Sequence, residues 1–186
     1  MTTLPAIRLL PLPLEAMKAL VAGDRALAGQ ITGVDLPPFF GDERMIWLCN
    51  YRIAQIEADP ASADWLVRVV VSVPEGAAVG HAGFHGPPDE RGMVEVGYSV
   101  VPEFRRRGYA KAMVRELLAR AAAEPQVAVV RASISPDNEA SLATVAGFGF
   151  TRVGEQWDEE DGRELLFELS VAGLRQAEAP ENKNEE

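Results

Sequence analysis

The stretch from Met93 to Ile134 leaves this chain few ways to fold. It opens with a β-branched run, MVEVGYSVV, continues through PEFRRRG, and then enters a helical segment in which Ala110, Val114, Leu117, Leu118 and Ala121 share one stripe. It closes with a second β-rich run, VAVVRASI. Two strands joined by a helical crossover lie parallel in one sheet. Upstream, WLVRVVVSV (Trp65–Val73) and AAVGHAGFHG (Ala77–Gly86) precede the MVEVGYSVV strand, Met93–Val101, with only the turn chemistry of PEG and PPDERG between them. Those three segments therefore read as an antiparallel meander. One sheet must hold both kinds of pairing, which predicts an α/β (α+β) chain with a central mixed, mostly antiparallel sheet of about seven strands flanked by helices.

The remaining elements fit around this frame. AIRLLPL (Ala6–Leu12) reads as a first strand, Leu14–Gln30 as a helix, and DERMIWLCNYRIAQIEADP as a second helix that stops before Pro60, with Trp47, Ile53 and Ile56 turned to the core. SPDNEASLATVAGFGF begins with capping residues and runs as a short helix to Gly147 and Gly149. FTRVGEQW and ELLFELS form a closing hairpin turned by DEEDG, Asp158–Gly162. Residues 1–171 are expected to make a single domain, and 172–186 a flexible acidic tail.

Composition narrows the partners. A formal net charge of -10 argues against nucleic acid, because tracking phosphates takes many lysines and arginines at once. The lone cysteine, Cys49, can form neither an intrachain disulfide nor a cysteine-based metal site, and on an apolar helix it reads as a small buried side chain. His81 and His85 alternate onto one strand face, yet no carboxylate or cysteine cluster accompanies them, so no metal is expected. Neither a signal peptide nor a membrane span is indicated, and the expected location is the cytoplasm.

Against that acidic background RRRGYA, Arg105–Ala110, stands out. A strand ending at Val101, a loop and a helix starting near Gly108 leave backbone N–H groups pointing outward, which is the geometry that binds anions. The helix dipole favours an anion there by roughly 0.3–1 kcal/mol at an exposed site, and glycine lets a phosphate approach the backbone. Arg105, Arg106, Arg107 and Lys111 supply countercharge. Neither GxxxxGK[ST] nor GxGxxG is present, so the common nucleotide motifs do not apply.

VVPEFRRRGYAKAMVRELL resembles the acyl-coenzyme A (CoA) signature of the GNAT superfamily of N-acetyltransferases: Arg or Gln, two residues, Gly, one residue, then Gly or Ala. Arg105, Gly108 and Ala110 occupy those places. NEASLATVAGFGF resembles the motif that follows it in that superfamily, and VEVGYSVVPEFRRRGYA is most similar to the branch of ribosomal-protein-alanine acetyltransferases. The resemblance implies acetyl-CoA as cosubstrate. It implies that backbone groups of Tyr98, Ser99 and Val100 pair with the pantetheine arm, that Arg106 to Lys111 cradle the pyrophosphate with Arg105 also binding the cofactor and Tyr109 packed beside it, and that Asn138 holds the arm. The implied reaction is direct attack on the thioester by an amine, either a protein N-terminus or a small molecule.

The amine must first be neutral, which at pH 7 costs roughly 4.6 kcal/mol for a lysine-like group but only about 1 for an α-amino group. Glu95 is the candidate base, acting directly or through water, since by alternation it shares a strand face with Gly97 and Ser99. An ordinary exposed carboxylate is the competing reading. His81 and His85 read first as structural histidines, and if either contributes chemistry, His85, nearer its strand end, is the candidate second base. Many superfamily members carry a tyrosine seven residues after the asparagine to protonate the leaving thiolate, and here that position is Val145. Ser141, one helical turn beyond Asn138, is the nearest substitute, although a helix-surface serine with no role fits the sequence better. A coenzyme A thiol is not very basic, so transfer without a dedicated acid is feasible. The alternative is a noncatalytic acyl-CoA sensor with the same fold. A homodimer is possible, and the acceptor is expected to be chosen by the loop Ile31–Asp42 and the hairpins.

Overall fold

A computed structural model describes residues 3–159 and 162–178. In chain order the elements are β1 (Ile7–Pro11), α1 (Leu14–Val21), α2 (Arg25–Thr32), α3 (Glu43–Ala58), β2 (Arg68–Ser72), β3 (Ala78–Phe84), β4 (Met93–Val100), α4 (Tyr109–Ala123), β5 (Val129–Ile134), α5 (Glu139–Ala146), β6 (Thr151–Asp158), β7 (Gly162–Ser170) and α6 (Val171–Glu178). The strand order is β1-β2-β3-β4-β5-β7-β6. Every pairing is antiparallel except that of β4 with β5. The mixed, mostly antiparallel seven-stranded sheet with helices is therefore the observed fold.

Contacts divide the described residues into two units, 3–87 with 96–114 and 88–95 with 115–178. β4 contributes to both. Its first residues, Met93 to Glu95, pair with β5, and Val96 to Val100 pair with β3.

In the first unit the core gathers Leu12, Met17, Leu20, Phe40, Met45, Cys49, Leu66 and Val69, all nearly inaccessible. β2 lies between β1 and β3, and its successive Val69, Val70 and Val71 are all buried, so both faces of this strand are covered. The helix expected over Leu14–Gln30 is two helices. Gly23 at φ 79° turns the chain, and Asp24 then caps α2 by accepting the Leu27 N–H at 2.9 Å. α3 begins where Asp42 accepts the Met45 N–H at 2.8 Å. Its buried residues, Met45, Cys49, Arg52 and Ile56, recur at intervals of three and four. Ile56 faces the core as expected and Ile53 packs against it partly buried. Trp47 does not: it is 47 % exposed and stacks on Tyr51 one turn along. Burial pushes the Cys49 thiol up to about 12, as for an inert core residue.

In the second unit β7 pairs with both β5 and β6, and β6 is exposed along most of its length. The expected tail at 172 starts too early, because Val171–Glu178 is helix α6. Arg175 accounts for it. Its guanidinium donates to the carbonyls of Ala122 and Glu124 at the end of α4, where helical carbonyls lack partners and a cation is favoured, and to that of Val127 before β5. Residues 179–186 and the centre of the Asp158–Gly162 turn lie outside the described residues. Among the described residues no helix is long and apolar enough to cross a membrane, and no three His, Cys, Asp or Glu side chains are grouped to hold a metal.

Candidate active site

The first unit brings Tyr98–Val100 together with Arg105–Lys111. Val101 donates its N–H to Val79 O at 2.9 Å, and the β3 register pairs Gly80 with Val100. By antiparallel alternation Gly97, Ser99 and Val101 turn their backbone groups to β3, so the N–H groups of Tyr98 and Val100 point to the opposite edge. Gly80 makes this close pairing possible, since a Cβ there would collide with the Ser99 carbonyl.

After β4 a short 3₁₀ turn, Pro102–Phe104, leads into the loop. Arg106 has φ 59° and Gly108 φ 85°, both in the left-handed region, and Arg106 is the one non-glycine residue of that kind among the described residues. The first bond of α4 runs from the Ala112 N–H to Gly108 O at 3.0 Å, which leaves the N–H groups of Tyr109, Ala110 and Lys111 without an intrahelical acceptor. Left-handed residues just before such a helix start make a concave array of donors suited to phosphate.

The three arginines differ. Arg105 Nε donates to Val100 O at 3.2 Å and ties the loop to the end of β4. Arg107 stands over the Phe104 ring, 5.2 Å from its centroid, with Nη1 3.4 Å from Glu75 Oε1. Arg106 and Lys111 are exposed and, among the described residues, make no hydrogen bond or ion pair. Tyr109 is buried, its hydroxyl 2.9 Å from both Ser72 Oγ and Glu75 Oε1. Burial raises its pKa, with Ser72 opposing and Glu75 adding to the shift. Neither Ser72 nor Glu75 is singled out by the sequence, where PEG reads only as a turn.

A second feature of this unit lies beside Tyr98. Gly83 and Gly97 face each other across β3 and β4, with His81 and His85 to either side on the same face of β3. Two missing side chains leave a cleft of about 110 Å³, walled by Leu48 and Arg52 of α3 and by Val67. The His85 imidazole overhangs Gly97, where a Cβ would come within 2.6 Å of Nε2. Arg52 Nη1 and Gln55 Nε2 each donate to the His85 carbonyl at 2.9 Å, fastening α3 to the end of β3. His81 stacks on Phe39 at 5.8 Å and its pKa is pushed down to about 4, mainly by desolvation, so it is neutral at pH 7.

Glu95, Asn138 and Ser141 belong to the second unit. Val94 and Val96 on the other face of β4 are buried while Glu95 is partly exposed, as alternation requires. Glu95 lies in register with Arg131, whose Nε is 3.1 Å from Glu168 Oε1. That guanidinium holds the Glu168 carboxyl below the usual range. Asn138 caps α5, its Oδ1 accepting the Ser141 N–H at 3.1 Å, which turns the amide nitrogen into its remaining donor. Val145, seven residues after Asn138, is 1 % exposed and part of the core.

Residues 16–151 match the family described as acetyltransferase (GNAT) domain. YjdG of Bacillus subtilis (strain 168), an N-acetyltransferase described as uncharacterized, is 33 % identical over 82 residues, 44 % of this chain and 49 % of that protein. The chain thus spans about half the length of the curated relatives it matches. Among solved structures, RimJ of Mycobacterium smegmatis in complex with CoA-disulfide aligns with a TM-score of 0.63 at 20 % identity, covering 90 % of this chain and 83 % of that one. The ribosomal-protein-S5-alanine acetyltransferase of Vibrio fischeri aligns with a TM-score of 0.60 at 15 % identity, covering 92 % and 95 %. At such identities the structural likeness speaks for the fold alone, whereas the family match takes in most of the sequence, including the RRRGYA loop and the helix that follows Asn138. The chain belongs to the GNAT acetyltransferase family.

Proposed function

We propose that the protein is an acetyl-CoA-dependent N-acetyltransferase whose acceptor is a primary amine, either a protein N-terminus or a small molecule. One observation carries the reading: within a single unit, a left-handed loop, the unpaired N–H groups starting α4 and the outward N–H groups of Tyr98 and Val100 follow one another along the chain. Together they suit a ligand with a phosphate group at one end and amide groups along an arm. Acetyl-CoA supplies a thioester that a neutral amine can attack without a covalent enzyme intermediate.

The chain's own residues divide the work. Arg106, Lys111 and the N–H groups from Gly108 to Lys111 hold the pyrophosphate, and Arg105 and Arg107 brace the loop. The N–H groups of Tyr98 and Val100 pair with the arm, and the Asn138 amide nitrogen donates to it. Glu95 receives the amine's proton, directly or through water. Ser141 donates to the departing sulfur, which needs little help because the thiol is not very basic. The cleft over Gly97 receives the amine-bearing end of the acceptor, and its size suits a small group. The ribosomal-protein acetyltransferase branch supplies the first acceptors to try.

Calorimetric titration with acetyl-CoA, followed by thiol release with short free-N-terminal peptides, amino acids, polyamines and aminoglycosides, tests this. Saturable binding and release with at least one class are expected, with Glu95→Gln lowering kcat roughly 100-fold. No binding would end the reading. Binding without release for every amine would favour a noncatalytic acyl-CoA sensor, which the buried Val145 at the acid position already motivates.

A further inference from the structure

We infer that Glu75, on the turn between β2 and β3, is a positioning residue for donor binding: through the Tyr109 hydroxyl it fixes the start of α4, whose N–H groups meet the donor's pyrophosphate. The inference rests on the acetyl-CoA reading above.

The hydrogen bonds around Tyr109 close into a ring with one consistent set of directions. Glu75 N–H donates to Ser72 Oγ at 3.3 Å. A carboxylate only accepts, so the Tyr109 hydroxyl must donate to Glu75 Oε1, and the Ser72 hydroxyl then donates to Tyr109, both at 2.9 Å. Each hydroxyl gives one proton and accepts one bond. The turn that carries Glu75 is itself pinned, because Ser72 N–H donates to Ala77 O at 2.9 Å and Ser72 O accepts the Gly76 N–H at 2.8 Å, with Gly76 at φ 65°. Ser72 is fully buried, so its bond with the Tyr109 hydroxyl is shielded from competing water, while the bonds to Glu75 are partly buried.

The ring acts on the anion loop because of where Tyr109 stands. It is the first residue of α4, immediately after Gly108, and its side chain packs edge-on against Phe104 with centroids 5.9 Å apart. Phe104 in turn carries the Arg107 guanidinium. Both ends of the Phe104–Tyr109 loop therefore rest on one side chain, and that side chain is held by Glu75. Glu75 as mere counterion to Arg107 is the weaker account: the two groups are 3.4 Å apart and about half exposed, a pairing that contributes little. A carboxylate beside an anion loop opposes anion binding by charge, so its use here lies in the hydrogen bond it accepts.

That distinction gives an ordering. Glu75→Gln keeps an oxygen acceptor for Tyr109 and removes the charge; Glu75→Ala removes both. Calorimetry should show Glu75→Gln binding acetyl-CoA within about twofold of wild type or tighter, while Glu75→Ala and Tyr109→Phe lose roughly tenfold. For Glu75→Ala the loss should fall on KM, with kcat nearly unchanged, and kcat/KM for S-acetylpantetheine, which lacks the pyrophosphate, should stay at the wild-type value. Glu75→Ala and Tyr109→Phe matching wild type would overturn the inference alone. So would Glu75→Gln binding as weakly as Glu75→Ala, or Glu75→Ala losing equally with both donors, which is the mark of a general folding defect. A wild-type protein that neither binds nor turns over acetyl-CoA would instead bring down the acetyltransferase reading and this inference with it.

Discussion

Arg106 holds a backbone conformation that most side chains avoid, at a cost of order 1 kcal/mol, and it does so between two arginines that are already engaged. Strain of this kind persists where the surrounding structure uses it, and here it turns the chain so that the following N–H groups converge. The Arg106 guanidinium, which has no hydrogen-bond or ion-pair partner among the described residues, is the one left for a ligand. Arg106→Glu should therefore weaken acetyl-CoA binding at least tenfold, whereas Arg107→Gln should change it less than threefold, both read by calorimetry. Equal losses for the two would mean the arginines act as a diffuse charge. Gly108→Val should also abolish tight binding with all three arginines intact, because φ 85° is closed to a β-branched residue and a Cβ there already approaches Pro5 Cδ at 3.2 Å. The motif was legible from the spacing of Arg105, Gly108 and Ala110. The division of labour among the arginines was not, since Glu75 and Ser72 come from a different hairpin and a run of like charges carries no sign of it.

Elements were legible where periodicity was strong, as in the three-strand meander, the crossover helix α4 and the α5 segment. They were misread where one polar residue overrides the local pattern. Asp24 after Gly23 starts a new helix inside a run that reads as continuous, because an N-cap bond offsets the cost of breaking it. Trp47 reads as core in the sequence, yet the buried face of α3 is set by Met45, Cys49, Arg52 and Ile56, and a buried arginine on that face interrupts its apolar stripe. The chain after Ser170 is polar enough to read as a tail, and only the carbonyls it meets at the end of α4 make it a helix. Arg175→Ala should accordingly cost about 1 kcal/mol in urea unfolding, for the loss of hydrogen bonds to partly buried carbonyls. An unchanged midpoint would return residues 172–178 to the tail that the sequence suggests.

For the whole molecule the question is how an acidic chain responds to acid. At a net charge of -10, lowering the pH toward the pI of about 4.8 relieves self-repulsion and would on that ground alone favour the folded state. Two features oppose it in separate pH windows. The Glu168 carboxyl is held low chiefly by its hydrogen bond from Arg131, so the stability it contributes is present above the ordinary carboxylate range and is lost as pH falls from that range through the lowered value. His81 acts earlier. Its pKa falls from 6.5 to about 4 through desolvation, with Asp42 pulling the other way and Arg52 and Arg44 adding to the depression. Between those values the unfolded chain binds a proton that the folded chain refuses, so stability declines as pH drops below 6.5 and the decline ends near 4. From pH 6.5 to pH 5 the loss from this one group is about 2 kcal/mol, since each pKa unit is worth 1.36 kcal/mol. His81→Gln, which keeps a polar side chain against Phe39 but cannot take up the proton, should lower stability at pH 7.5 yet lack that slope. Urea unfolding at intervals from pH 7.5 to pH 5 measures it: the same slope in variant and wild type would place the proton uptake elsewhere and leave His81 an ordinary packed side chain.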